Sequence, residues 1–92
     1  MLSIYRRLIT WPNMPTIVII RGYRFFFVSL DRDEPVHIHI EKDGAYAKYW
    51  LKPVRLAHSR GFRQHELTEI RKIVQKHEKL FMSRWNAFFS NK

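Results

Sequence analysis

The chain has 92 residues, no cysteine and a net charge of +9, which together predict a single domain without disulfides or thiolate metal sites. No apolar run approaches the roughly 20 residues of a membrane span, and the lack of cysteine is typical of the reducing cytoplasm. The basic excess favours a polyanion or an acidic protein as partner. A solvated basic surface without a partner is the simpler alternative.

Two hairpins are predicted in the first half of the chain. Thr16–Gly22 and Arg24–Leu30 are rich in β-branched and aromatic residues and predict the first hairpin. After the charged DRDEP segment, the runs VHIHIEK and AYAKYWL flank Asp43-Gly44. This pair favours a two-residue type I′ turn, so the runs predict a second hairpin. A short fifth strand is expected at Val54–Ala57.

A single long helix is predicted after the strands, from about Gln64 to Phe89, with a kink or break near Met82. Apolar side chains recur there at intervals of three and four residues and form one stripe. The stripe consists of Leu67, Ile70, Val74, His77, Phe81, Trp85 and Phe88. The predicted fold class is therefore α+β: an antiparallel sheet of four to five strands with the long C-terminal helix packed on one face.

The Asp-Gly turn also predicts the register of the second hairpin, with His37 opposite Trp50 and His39 opposite Lys48. Because strand side chains alternate between faces, one face is apolar and suited to a core under the helix. Its members are Val36, Ile38, Ile40, Ala47, Tyr49 and Leu51. The other face is polar with aromatic edges. Its members are His37, His39, Glu41, Tyr46, Lys48 and Trp50.

Metal-independent RNA cleavage is the favoured interpretation of the polar face. One imidazole of His37 and His39, or the Glu41 carboxylate, would take the proton from a ribose 2′-OH. The other imidazole would protonate the leaving oxygen, because histidine titrates near neutrality. Lys48 or Arg24 would stabilise the charge on the phosphorane. Lys48 is also expected to lower the pKa of His39.

Two other interpretations of His-x-His stay open. The two imidazoles could bind a metal with Glu41 as a third ligand, although Lys48 opposite His39 would repel a cation. Alternatively, the histidines form hydrogen bonds on an exposed or partner-covered face. The favoured interpretation invokes no metal and no cofactor.

Further residues are candidates for nucleic-acid binding. The aromatic rings of Tyr46 and Trp50 can stack on bases, and Arg24 adds a positive charge beside them. Segment 52–63 holds basic residues and no Asp or Glu, so it is suited to bind phosphates. Its basic residues are Lys52, Arg55, Arg60 and Arg63.

Several stretches together resemble a small bacterial domain-of-unknown-function family, DUF4160. They are MPTI at Met14–Ile17, RFFF at Arg24–Phe27, EPVHIHIE at Glu34–Glu41, AKYWL at Ala47–Leu51 and the GF…EL…I run that follows. The resemblance covers Met14 to about Phe89. Relatives begin near MPTI, so residues 1–13 are interpreted as an N-terminal extension and residues 14–92 as the domain. Arg63 stands where relatives have a small polar residue, which predicts a poorly capped helix start ahead of Glu66.

The resemblance implies the toxin side of a type II toxin–antitoxin pair, in the bacterial cytoplasm, with a cognate antitoxin as partner. Combined with the polar face, it makes RNA the expected target. The alternative is a non-catalytic module that binds nucleic acid or a partner through the same face. A third possibility is a structural or regulatory protein whose basic helix docks an acidic partner. Self-association is compatible with each, and no membrane contact is expected.

Overall fold

The computed structural model describes residues 15–90, which form a five-stranded antiparallel sheet followed by two helices. The strands are β1 (Thr16–Ile20), β2 (Tyr23–Phe26), β3 (His37–Lys42), β4 (Ala45–Leu51) and β5 (Val54–Arg60), and the helices are α1 (Gln64–Lys76) and α2 (Glu78–Ser90). The strands lie in the sheet in their order along the chain. The predicted α+β class is confirmed. The N-terminal extension, residues 1–13, lies outside the described residues.

Both hairpin turns place two consecutive residues at positive φ, as type I′ turns require. Asp43 and Gly44 have φ values of 50° and 85° and join β3 to β4, as predicted. Arg21 and Gly22 have φ values of 54° and 84° and join β1 to β2. The fifth strand extends to Arg60, three residues beyond its predicted end.

The helical segment bends at His77, whereas the sequence pattern placed a kink or break near Met82. His77 leaves the helical region with φ −108° and ψ 18°. Backbone hydrogen bonds still cross the bend, because His77 donates to the Ile73 carbonyl and Phe81 donates to the His77 carbonyl, both at 3.0 Å. The His77 ring also donates from Nδ1 to the Ile73 oxygen at 2.9 Å. No helix within residues 15–90 combines the length and the apolar character needed to cross a bilayer.

The start of α1 is only partly capped. The backbone N–H of Arg63 donates to Glu66 Oε1 at 2.8 Å, which supplies one half of a capping box. Arg63 has no side-chain acceptor for the first free N–H groups of the helix, and its side chain makes no capping hydrogen bond.

The core lies between the helices and one face of the sheet. Ile70 and Val74 of α1 and Phe81 and Trp85 of α2 are buried, while Leu67 and Phe88 are partly buried against them. This confirms the predicted stripe. The sheet contributes Tyr23, Phe25, Ile38, Ile40, Ala47, Tyr49 and Leu51, and Phe27 joins the core directly after β2. The second hairpin therefore presents its apolar face to the helices, as expected.

The connection between β2 and β3 covers part of the opposite face of the sheet. It contains a 3-10 turn at Ser29–Asp31 and then runs through Pro35 into β3. Glu34 fastens this connection to the sheet, because Lys48 Nζ on β4 donates to Glu34 Oε1 at 2.7 Å. The sequence pattern showed this segment only as a break between strands.

Candidate functional site

The β3–β4 register places the two histidines on the predicted face. His37 pairs with Trp50 and His39 pairs with Lys48, as the Asp-Gly turn predicted. Both imidazoles are nevertheless buried, with exposed fractions of 0% for His37 and 7% for His39. The sequence pattern indicated a solvent-facing pair, but the connection before β3 covers them.

Asp31 joins the two histidines into a three-residue cluster, called here the His–Asp cluster. Asp31 Oδ2 lies 2.8 Å from His37 Nε2 and 2.7 Å from His39 Nε2. The two Nε2 atoms are 3.2 Å apart. Three polar atoms therefore meet at one point, each within hydrogen-bond distance of the other two.

The outer ring nitrogens are held by other groups. His37 Nδ1 lies 2.8 Å from the Pro35 carbonyl oxygen, which can only accept, so this nitrogen carries a proton. His39 Nδ1 lies 2.8 Å from the Tyr46 hydroxyl. Each ring therefore has its Nδ1 held by an outer group and directs its Nε2 into the cluster.

Aromatic rings surround the cluster. The Phe26 ring stacks on His39 with centroids 5.3 Å apart. Trp50 and Trp85 approach His37, with centroids 5.6 Å and 5.1 Å from its ring. The imidazoles are therefore held in fixed orientations by an apolar shell.

Burial and hydrogen bonding set the protonation of the cluster. Burial lowers the pKa of His39, against the opposing effect of the hydrogen bond that His39 donates to Asp31, and the positive charge of Lys48 contributes a smaller lowering effect. The predicted direction is thus confirmed, but burial is its main cause. For Asp31, burial alone would raise the pKa, yet the hydrogen bonds from His39 and His37 leave it lowered. The carboxylate is therefore ionised at neutral pH.

The two other predicted catalytic residues lie outside this cluster. Glu41 accepts a hydrogen bond from Arg24 Nη1 at 2.7 Å, and its position opposite Arg24 on β2 explains that pairing. Lys48 is engaged by Glu34. Within the described residues, the potential metal-binding group consists of Asp31, His37 and His39, without Glu41.

Beyond the covered histidines, the same face of the sheet carries a basic and aromatic surface, called here the open face. The strand register places on this side Arg24, Tyr46, Lys48, Trp50, Arg55, His58 and Arg60. Lys48 Nζ lies 4.7 Å from the centroid of the Trp50 ring. The Arg60 guanidinium lies 5.6 Å from that of Tyr46. Cation–π pairs of this kind keep the flat faces of the rings next to positive charge.

The structure places two of the four predicted phosphate-binding residues on the open face and the other two elsewhere. Arg55 pairs with Trp50, and Arg60 pairs with Tyr46, so strand pairing brings both to the open face. Lys52 lies in the turn between β4 and β5, and Arg63 immediately precedes α1. Both side chains are exposed. No contact in the described residues ties them to the aromatic members of the open face.

Sequence reasoning missed Asp31 and Glu34. Asp31 lies six residues before His37 and eight before His39, in a charged loop with no periodic pattern. A possible signal was the acidic character of DRDEP directly before His-x-His, since carboxylates and imidazoles are natural hydrogen-bond partners. The pattern could not show which of the carboxylates turns inward.

The fold and the site together define a small α+β domain with a buried His–Asp cluster beside an open basic sheet face. A comparison with protein families matches residues 22–86 to the family described as domain of unknown function DUF4160. The match spans most of the chain, and the chain belongs to this family. Comparisons with curated proteins and with solved structures give no match.

Proposed function

We propose that the protein is the toxin-side component of a bacterial toxin–antitoxin pair and that it acts by binding single-stranded RNA on the open face. The observation that carries the RNA proposal is the pairing of basic groups with flat rings, Lys48 with Trp50 and Arg60 with Tyr46. Bases of single-stranded RNA stack on aromatic rings and on guanidinium planes, while the neighbouring cations bind phosphates.

The charge of the molecule supports the same proposal. The net charge of +9 raises the local concentration of a polyanion. Arg55, His58 and Arg60 of β5 are exposed along one edge of the sheet. A strand of RNA that crosses β4 and β5 would meet rings and cations in alternation.

Burial of the histidines favours binding over acid–base cleavage. A general base must come within about 2.6–3.2 Å of the hydroxyl that it deprotonates. His37 has no exposed surface, and both imidazoles already have hydrogen-bond partners in Asp31. Cleavage by His37 and His39 would require the β2–β3 connection to move away from the sheet.

The salt dependence of RNA affinity tests the proposal. We expect log affinity for a single-stranded RNA to fall linearly with log salt, by about 0.7 for each phosphate neutralised. The double variant Arg55→Gln, Arg60→Gln should flatten this slope by about 1.4, which is twice the value for one phosphate. Fluorescence anisotropy over a salt series measures both slopes.

The matched control removes two charges from the helices instead. Lys72 and Lys79 are exposed on α1 and α2, so Lys72→Gln, Lys79→Gln changes the net charge equally. We expect the wild-type slope in this control. Equal flattening in both double variants would mean that net charge alone attracts RNA, and undetectable wild-type binding would reject the RNA proposal.

The toxin assignment has its own test. Induced expression should arrest growth, and co-expression of the protein encoded beside it should relieve the arrest. The Arg55→Gln, Arg60→Gln variant should arrest growth less than the helix control, if arrest depends on RNA held at the open face. RNA that is cut in the presence of EDTA and spared in His39→Ala would restore the acid–base mechanism.

A further inference from the structure

Three atoms of the kind that bind metal ions converge in the His–Asp cluster. His37 Nε2, His39 Nε2 and Asp31 Oδ2 lie within 3.2 Å of one another. The outer nitrogen of each ring already has another partner, because His37 Nδ1 faces the Pro35 carbonyl and His39 Nδ1 faces the Tyr46 hydroxyl. Both rings therefore direct Nε2 toward the Asp31 carboxylate.

The geometry points to a divalent transition-metal site, of the type that zinc occupies, with His37 Nε2, His39 Nε2 and Asp31 Oδ2 as its protein ligands. Two imidazoles and one carboxylate form a common donor set for such ions, and water completes the coordination. Neither the family assignment nor the proposed RNA binding requires this site.

The spacing of the three atoms fits this assignment. Metal bonds of about 2.0–2.1 Å in a tetrahedron place neighbouring ligand atoms about 3.3 Å apart. The two Nε2 atoms are already 3.2 Å apart. Asp31 Oδ2, at 2.7 Å and 2.8 Å from them, needs to retreat by about half an ångström to reach the tetrahedral spacing. It lies at the end of the short 3-10 turn, on the loop that covers the sheet face.

The outer contacts are those that metal-bound histidines usually make. A ligating imidazole commonly donates its second N–H to a carbonyl, carboxylate or other acceptor, which fixes the tautomer and the ring orientation. Pro35 provides a carbonyl for His37, and Tyr46 provides a hydroxyl oxygen for His39. Both rings are thereby held with Nε2 directed to the same point.

The charges around the cluster and the exposure of Asp31 are compatible with a bound cation. In the sequence, the positive charge of Lys48 opposite His39 argued against a metal. In the structure, Glu34 Oε1 lies 2.7 Å from the Lys48 ammonium group. The side chain of Asp31 is 16% exposed, whereas that of His37 is fully buried. The exposed part of the Asp31 side chain therefore gives an ion access to the cluster from solvent.

The test uses the full chain, without a histidine tag, after dialysis against EDTA. Isothermal titration with Zn²⁺ should show one saturable site, and the midpoint of thermal unfolding should rise as the ion binds. Asp31→Asn should weaken binding by about 100-fold or more, because it replaces an anionic ligand by a neutral one. The control His65→Gln removes an exposed histidine outside both the cluster and the open face, and it should bind Zn²⁺ as wild type does.

Asp31→Asn separates this inference from the proposed function. Asp31 lies on the β2–β3 connection and is not a member of the open face, so the variant should lose metal affinity and keep the wild-type RNA affinity. Tyr46→Phe removes the hydroxyl that holds His39 and should weaken metal binding by about 10–100-fold. In the wild-type protein, RNA binding without Zn²⁺ binding would reject only the metal site, and Zn²⁺ binding without RNA binding would reject only the RNA proposal.

Histidine ¹⁵N NMR identifies the ligands even if a variant fails to fold. In the wild-type protein, Zn²⁺ should shift the Nε2 resonances of His37 and His39, while their Nδ1 atoms stay protonated. The resonances of His58, His65 and His77 should not move. The inference is overturned if wild-type protein shows no saturable site, if the exposed histidines respond instead, or if Asp31→Asn binds Zn²⁺ as tightly as wild type.

Discussion

Among single residues, Tyr23, Glu69 and Arg21 tie the first hairpin to α1. The Tyr23 hydroxyl donates to Glu69 Oε1 at 2.9 Å, and the Arg21 guanidinium pairs with the same carboxylate. Burial and the hydrogen bond to Glu69 raise the pKa of Tyr23 to about 12. The hydrogen bonds from Arg21 and Tyr23 lower the pKa of Glu69. Lys42, whose ammonium lies over the Tyr23 ring, adds a further positive charge.

These shifts predict how stability depends on pH. The Glu69 contribution should be present above the ordinary carboxyl pKa of about 4.3 and lost as pH falls through the lower folded value. The Tyr23 contribution should be present below the ordinary tyrosine pKa of about 10 and lost as pH rises through the folded value near 12. Glu66 faces Tyr23 as well, and its negative charge acts in the same direction as Glu69.

Urea unfolding of wild type, Tyr23→Phe and Glu69→Gln over a pH series measures both effects. Tyr23→Phe should lose less stability than wild type above pH 10, and Glu69→Gln should lose less in acid. An alkaline loss of equal size in wild type and Tyr23→Phe would contradict the account of this contact.

Asp31 shows why part of the candidate site could not be predicted. The strand register followed from one Asp-Gly turn, which placed His37 and His39 side by side. The burial of the pair depends on a loop whose path has no repeating pattern. Side-chain direction is periodic in strands and helices, but in a loop it follows from the particular turn, here Ser29–Asp31.

At the scale of elements, α2 contributes the largest side chain to the core. Trp85 is 8% exposed, and its ring contacts Phe27 and Phe89 at centroid distances of 5.4 Å and 4.2 Å. Its ring also approaches His37. Trp85 therefore links the second helix to the end of the sheet where the His–Asp cluster lies.

Trp85→Ala should lower the free energy of unfolding by about 3–5 kcal/mol, because truncation of a buried aromatic ring leaves a cavity. This loss is a large fraction of the stability expected for so small a domain. Leu80→Ala is the matched control on the same helix, since Leu80 is 37% exposed, and it should change stability far less. A Trp85→Ala protein that unfolds at the wild-type urea concentration would show that α2 is not packed as described.

The elements themselves were largely predictable, and their irregularities were not. The alternation of apolar and polar residues and the Asp43-Gly44 turn predicted the strands of the second hairpin. Apolar residues at intervals of three and four predicted the helical stripe. The bend at His77 has no Gly or Pro to mark it, and the stripe passes through it without interruption. The last part of β5 was missed because His58 and Ser59 belong to no apolar run, so strand pairing with β4 extends it.

At the scale of the whole molecule, the two faces of the sheet serve different purposes. The helices cover one face and supply the core, while the β2–β3 connection covers only part of the other. The uncovered part bears Tyr46, Trp50 and the cations of β5. The net charge of +9 predicted a polyanion partner, but composition could not show on which surface of the molecule the basic residues lie. Strand pairing brings Arg55 beside Trp50 and Arg60 beside Tyr46.

The most direct test of RNA binding at the open face is an NMR titration of the ¹⁵N-labelled full chain with a short single-stranded RNA. Trp50 and Trp85 provide an internal comparison, because Trp50 lies on the open face and Trp85 lies in the core. We predict that the Trp50 indole N–H and the backbone amides of β4 and β5 shift with RNA, while the Trp85 indole and the amides of α1 and α2 do not. Shifts centred on the helices, with Trp50 unchanged, would contradict the account.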